Sequence, residues 1–454
     1  MLGVMSVAPN HALPFERRAA AGSARGAPPA HAASWYAATA HPAPERPPIE
    51  GDLEVDTCVV GAGFSGLSTA LHLAAAGREV VVLEGARVGW GASGRNGGQV
   101  VNGLNAGLDV VERRYGADDA AFVGSMVTEG ASIIRGLAAE HGIECDLRDG
   151  NLYVALDARQ MRGLEAKRDL WRRHGMDEHE LLDREGLRAH VGSERYVGGM
   201  IDVSGGQLHP LNLALGEAAA LERLGGRVHE GSRVVRIDGV DGRRPVVHTD
   251  RARVRAGTLV LCGNAYLGDA VPELAARVMP VSTQIVATEP LPADVAARIL
   301  PTNLCVEDAR WILDYYRLTP DRRLLFGGGS VYGGAEPADI EAKLRPNLAR
   351  VFPELAHVRI DHAWSGNFAL SFTRVPQLGQ LGPCSYHAMG YSGHGVTGSH
   401  LFGRLLSEAI LGDRSRFDRL AAMRWRPFPG GQRFGPAWST AGSWWYGLRD
   451  RVGL

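Results

Sequence analysis

The amino-acid sequence predicts an α/β protein: a doubly wound nucleotide-binding unit, discontinuous along the chain, with an inserted domain built on an antiparallel β-sheet. Three observations lead there. Residues 55–84 read in order as strand, glycine turn, helix, strand and acid. Two later stretches repeat the passage from strand into glycine turn, TLVLCGNA and SYHAMGYSGHGVTGSHLFGRLLSEAILG. Between these lie strand-like pieces divided by turns, VSTQIVATEPL, RWILDYYRLT and RLLFGGGSVYG, with hairpin patterning rather than crossover helices.

In the first unit an apolar run closes on Cys58, Val59 and Val60. Leu67, Ala70, Leu71 and Ala74 then recur at helical spacing until Gly77 stops the helix. Gly61 permits the tight turn, Gly63 lets backbone approach a pyrophosphate, and Gly66 lets the helix pack closely on the strand, which is the Rossmann-like pattern. The helix N-terminus offers N–H groups to phosphate. Glu84, about 20 residues beyond the first glycine, is placed to accept from ribose hydroxyls.

With 49 basic and 50 acidic residues among 454, the charge balance argues against nucleic acid or an anionic membrane as partner. The cysteines at 58, 145, 262, 305 and 384 form no CxxC or Cys/His cluster, which fits reduced thiols in a cytoplasm and no structural metal. No apolar run reaches the 18 or so residues of a membrane span.

Residues 1–34 are rich in Ala, Gly, Pro and Arg and read as a disordered extension, with Ser34, Trp35 and Tyr36 the first to dock. After Glu84 comes GARVGWGASGRNGGQVVNG, whose seven glycines let backbone wrap round a flat or anionic group while Arg95, Asn96 and Gln99 supply donors. A helical stretch over about 108–141 follows. The run RVVRIDGVDGRRPVVHTDRARVRA reads as hairpins, and a helix is expected over about 338–352. The nucleotide unit is expected at 50–105, 195–270 and 361–425, and the substrate domain at 106–194 and 271–360. Residues 426–454, with Trp438, Trp444 and Trp445, read as an aromatic tail packed on the body.

The segments WYAATA, RVGWGASGRNGGQVVN, SGGQLHPLNLA, GNAYLGD, CVEDARWILDYYRLT, WSGNFAL, GYSGHGVTGSHL and YGLRDRVGL carry a resemblance from about Ser34 to the C-terminus. The chain resembles the glycine/D-amino-acid oxidase (DAO, GR2-type) superfamily of FAD-dependent amine oxidoreductases, and within it the bacterial γ-glutamylputrescine oxidoreductases of putrescine and polyamine catabolism. The likeness implies FAD in extended form, with adenosine and pyrophosphate at Gly61, Ala62, Gly63, Phe64, Ser65, Gly66 and Glu84. It places Gly85, Arg87, Val234, Gly263 and Asn264 against the cofactor as well. The isoalloxazine is expected beneath Ser93, Gly94, Arg95, Asn96, Gly97, Gly98 and Gln99, and against Gly393, His394, Gly395, Val396 and Thr397.

Two departures matter. Sarcosine-oxidase-like members attach the flavin through a cysteine, but the matching region here is Phe368, Ala369, Leu370, Ser371, Phe372 and Thr373, so FAD is expected to be non-covalent. Those members also clamp a substrate carboxylate with a lysine just after the GHG turn, where this chain has Thr397, which disfavours a simple α-amino acid. The resemblance implies oxidation of a neutral primary amine to an imine, hydrolysis to aldehyde and ammonia, and O2 as acceptor with peroxide released.

Residues expected to enclose the amine are Tyr266, Tyr316, Trp364, Asn367, Tyr391 and His394, with Tyr315 and His209 as further candidates. Asp314 or Glu307 is a candidate to attract the amine, and Arg317 to meet the distal carboxylate. The expected partners are a small amine and O2, in the cytoplasm, with self-association left open. The other readings kept are a same-fold oxidase or dehydrogenase for another amine or amino acid, and a non-catalytic flavoprotein. A flavin monooxygenase is disfavoured because GGGSVYGG does not match a second dinucleotide turn.

Overall fold

A computed structural model describes residues 28–423 and 427–428. Among them two sheets carry the architecture. The first runs in the order Gln377–Gly382, Ser385–Met389, Ala252–Leu261, Gly51–Val60, Val80–Leu83, Arg227–His229. Its inner pairings are parallel, Gly51–Val60 lying between Ala252–Leu261 and Val80–Leu83. Buried on both faces, these strands read as Val- and Leu-rich runs, as a parallel sheet requires. The hairpin Arg236–Asp238 with Val246–His248 adds to Ala252–Leu261.

The helix Phe64–Ala75 packs across this sheet and against Gly395–Leu411 and Pro210–Arg223. Its fit to the glycine turn is tight. A Cβ on Gly66 would lie 1.9 Å from the Gly61 carbonyl oxygen, and one on Gly61 itself, at φ +103°, would lie 2.9 Å from the Cys262 oxygen.

The second sheet is mainly antiparallel, in the order Ile360–Ser371, Val278–Thr288, Leu324–Tyr332, Tyr315–Leu318, Cys305–Asp308, Arg148–Ala155, Gly198–Gln207, Gln99–Val100. One face covers an apolar core that includes Val306, Tyr316, Phe326, Leu344 and Phe352. The other faces the first sheet's glycine turns.

Several expectations need correction. Gly198–Gln207 and Ile360–Ser371 belong to the second sheet, although 195–270 and 361–425 were assigned to the nucleotide unit. A strand's own pattern does not say which sheet it joins; here the partners are Arg148–Ala155 and Val278–Thr288. The stretch 108–141 is three helices, Leu108–Tyr115, Ala117–Gly124 and Glu129–His141, the first break at Gly116 with φ +97°. Residues 28–34, read as disorder, are described, and Trp90 Nε1 donates to the Ala30 carbonyl at 2.9 Å. Trp35 and Tyr36 are buried against Leu211 and Trp364. The expectations for residues 1–27 and for Trp438, Trp444 and Trp445 lie outside the described residues. No described helix is long and apolar enough to cross a membrane.

Gly66→Ala is expected to destabilise the protein by about 1–3 kcal/mol and to yield protein with little bound flavin. Thermal melting and flavin content after purification check this, and an unchanged pair of values would show that the helix can slide off the turn.

Candidate active site

The nucleotide end of the site is built from the glycine turn. Glu84 follows Val80–Leu83 and its carboxylate accepts from the backbone N–H of Ala62 and of Ala86, each at 2.8 Å. Burial raises its pKa, and those two amide bonds oppose the rise. Each oxygen keeps a lone pair for a ribose hydroxyl. Gly85 lies beside Arg233, so Val234 is nearby, and Ser232 N–H donates to the Glu84 carbonyl at 2.7 Å. Arg87 instead sits 3.8 Å from buried Glu230.

Ser93 joins the glycine-rich loop to this turn, its Oγ accepting from Phe64 N–H at 3.0 Å. Asn96 stabilises the loop by donating to the carbonyls of Ala92 and Ser93 and accepting from Gly98 N–H. A Cβ on Gly97 would lie 2.6 Å from the Tyr315 ring. These cradles, which side chains would fill, fit an extended dinucleotide with a flat ring at the loop.

From Phe64 and Ser93 a cavity of about 240 Å³ opens toward Trp311 and Arg374. One end is formed by Gly393, His394, Gly395 and Val396 at the N-terminus of Gly395–Leu411, with Tyr391 beside them. Burial, with Lys167 adding, lowers the His394 pKa to about 4, so the imidazole is neutral at ordinary pH. Its Nδ1 lies 3.3 Å from the Gly103 carbonyl. The Tyr391 hydroxyl hydrogen-bonds to Ser65 Oγ. Asn264, at φ +47°, lines the cavity and accepts from Gly390 N–H at 3.0 Å.

The opposite wall is the second sheet. Thr283 stands opposite Ser330 and Gly366, and Val281 opposite Tyr332 and Phe368, so one face of three strands lines the cavity. The next strand pair adds Glu307 opposite Tyr315. Glu307 is 8% exposed, and its carboxylate takes no hydrogen bond from any described residue.

Alternation along these strands corrects several assignments. Tyr316, opposite Val306, faces the apolar core, where its hydroxyl donates to Tyr196 at 3.1 Å. Asn367, opposite buried Ser282, also points away from the cavity, and Tyr266 reaches its N–H at 3.2 Å from beneath Trp90. Trp364 lies one pair beyond the cavity and donates to the Arg95 carbonyl at 3.0 Å. His209 caps the helix Pro210–Arg223 by accepting from Asn212 N–H. Asp314 is enclosed with Arg310 and Asn347. Arg317, 1% exposed, donates to the carbonyls of Gly97 and Leu208 and to the Tyr36 hydroxyl, and so holds the loop rather than a substrate. Thr397 donates to the Val101 carbonyl at 2.6 Å.

The sequence reasoning missed Tyr332, Trp311 and Arg374 at the mouth and Lys167 behind Glu307. The pairing of Val281 with both Tyr332 and Phe368 would have shown the first, but it needs the strand register.

A family model described as FAD dependent oxidoreductase matches residues 56–409. Gamma-glutamylputrescine oxidoreductase of Escherichia coli (strain K12) is 48% identical over 425 residues, covering 93% of this chain and 99% of that protein. Among solved structures, glycine oxidase from Geobacillus kaustophilus superposes with a TM-score of 0.69 at 22% identity, covering 83% of this chain and 100% of that one. L-proline dehydrogenase from P. horikoshii gives 0.67 at 19%, covering 81% and 99%. These two likenesses concern the fold.

Arg317→Met leaves three buried acceptors without their donor and is expected to cost about 2 kcal/mol or more. Denaturant unfolding measures that loss, and flavin affinity should fall with it because the Gly97 carbonyl is released. Wild-type stability would show that the loop holds its shape without the guanidinium.

Proposed function

The chain belongs to the DAO family of FAD-dependent oxidoreductases, and we propose that it oxidises γ-glutamylputrescine to γ-glutamyl-γ-aminobutyraldehyde, releasing ammonia, with O2 as acceptor and hydrogen peroxide as product. The observation that carries this reading is the 48% identity to the Escherichia coli enzyme across nearly the whole of both chains.

Residues 61–66, Glu84, the loop over 93–99 and the turn over 393–396 would hold FAD. When bound it supplies the two-electron acceptor for the C–H bond beside the amine. No cysteine lines the cavity among the described residues, which supports non-covalent binding.

The residues of the chain divide the remaining work. Tyr315, Tyr332, Phe368 and Tyr391 enclose an extended aliphatic chain and exclude water from the reacting carbon. The carboxylate of Glu307 lies within the cavity and the cationic Arg374 lines it too, stacked at 4.9 Å on Trp311. A substrate with an ammonium at one end and a carboxylate at the other suits that pair of charges. The Thr397 hydroxyl is already committed to Val101, which speaks against a short α-amino acid clamped there. A cytoplasmic setting agrees with the five free thiols.

Anaerobic mixing with γ-glutamylputrescine, putrescine, spermidine, sarcosine and glycine in turn tests the substrate. Loss of flavin absorbance is expected to be fastest with the glutamylated amine and to reverse in air with peroxide formed. A faster response to another amine would replace the substrate while keeping the reaction class. Arg374→Ala is expected to raise KM for γ-glutamylputrescine about tenfold or more with little change for putrescine. Equal effects on the two would remove Arg374 from carboxylate recognition.

A further inference from the structure

We propose that Glu307 is the group that receives the ammonium of the substrate and takes its proton, so that the nitrogen enters oxidation as a free amine. The inference rests on the amine-oxidation reading above and adds the residue that prepares the amine.

The geometry is that of a built site. Glu307 is more than nine-tenths buried and lines the cavity, and its carboxylate is without a hydrogen-bond partner among the described residues. Its strand fixes where it points. Val306 on one side enters the apolar core, while Asp308 on the other is engaged by Arg310. Across the strand pair stands Tyr315, its ring confined by Gly97 and Gly327, where any Cβ would collide with it.

The charges around Glu307 come from every element packed on it. Asp308 and Cys305 are on its own strand, Tyr153 on Arg148–Ala155, Asp202 on Gly198–Gln207, and Lys167 on the helix Ala158–Arg173. Lys167 is the cation among these. Its ammonium is held 3.6 Å over the Tyr153 ring and 4.7 Å from that of Trp171 rather than in an ion pair with Glu307. It therefore lowers the pKa of the carboxyl without occupying its lone pairs. Burial acts the other way and is the larger effect, leaving Glu307 with a pKa of about 7. A carboxyl poised there is both a counter-ion for an ammonium and a base able to accept its proton. His394, neutral down to about pH 4, does not compete for that role.

The step balances simply. An N–H bond of the ammonium breaks, its proton passes to a Glu307 carboxylate oxygen, and the electron pair stays on nitrogen. That pair is then free to form the second bond of the C=N in the two-electron oxidation of the neighbouring C–H, for which FAD, the oxidant the family supplies, would be the acceptor when bound.

The test is the pH dependence of anaerobic flavin bleaching by γ-glutamylputrescine, with FAD content measured for every variant. In the wild type the second-order rate constant is expected to rise about tenfold per pH unit below about 7 and then level off. In Glu307→Gln the plateau disappears and the rate keeps rising to pH 9, following the free-amine fraction alone. Glu307→Asp keeps a plateau at a lower rate. Lys167→Met keeps Glu307 but moves the limb to higher pH, because the cation that lowers its pKa is gone.

A second readout needs no turnover: tert-butylammonium, which has no hydrogen on the carbon beside nitrogen, is titrated against the FAD-loaded protein by flavin difference spectrum. Its affinity is expected to fall about tenfold or more in Glu307→Gln, while tert-butanol binds both proteins alike. A plateau retained in Glu307→Gln, or unchanged tert-butylammonium affinity, overturns the proposal. If Glu307→Gln does not load FAD, the Glu307→Asp profile and the wild-type titration at pH 6 and 8 decide it, since binding of the cation must weaken as the carboxylate protonates. If no amine bleaches the wild type while tert-butylammonium binds through Glu307, the reaction assigned under the proposed function has failed and the cation site stands.

Discussion

The cavity exists because side chains alternate along a β-strand, and the second sheet uses that alternation in both directions at once. Glu307 and Tyr315 stand opposite each other on the cavity side; Val306 and Tyr316, their neighbours, stand opposite each other in the core. A slip of one residue would push a carboxyl into apolar packing and turn valine and the wrong tyrosine toward the ligand. The register is held from both sides, by parallel pairing to Arg148–Ala155 and by Gln99 Nε2 donating to the Val306 carbonyl. The same loop that faces the cofactor thus fixes the strand that faces the substrate.

Side chains that bond to backbone keep that loop in shape, Asn96 and Arg95 from within it and Arg317 and Trp364 from beside it. A stretch with so many glycines has a large conformational entropy to lose on folding. Arg317 reaches Gly97, Arg95 turns back onto the Trp90 carbonyl at 2.7 Å while stacking on its ring, and the Trp364 indole takes the carbonyl of Arg95. These groups look like substrate or cofactor contacts when seen as residue types. Each bonds to a backbone oxygen of the loop and so makes it rigid, while Arg95 lines the cavity as well.

What could be read in advance follows the range over which each feature is determined. The turn at residues 61–66 and Glu84 are legible because a strand, a turn, a helix and an acid at set spacing are consecutive in the chain, and each glycine answers a local steric need. The GHG turn is legible for the same reason. Tyr316, Trp364 and Asn367 suit the amine by type, yet the face or the distance along the sheet that keeps each from the cavity depends on pairing with strands about 10 to 85 residues away. Arg317 was legible only as a charge. That its partners are a carbonyl 220 residues earlier and a tyrosine of the N-terminal arm is a fact of tertiary structure.

The contact between Ser65 and Tyr391 spans 326 residues of sequence. It has a consequence for biosynthesis. The first glycine turn emerges from the ribosome early, but the turn that completes the cavity, with the helix packed on Phe64–Ala75, emerges only after the 326 residues that separate the two contacts. Contacts of such separation form late because loop closure must come first. The nascent chain therefore carries half a cofactor site, and productive loading of FAD belongs to the final stage of folding, after the last strands of both sheets have been released.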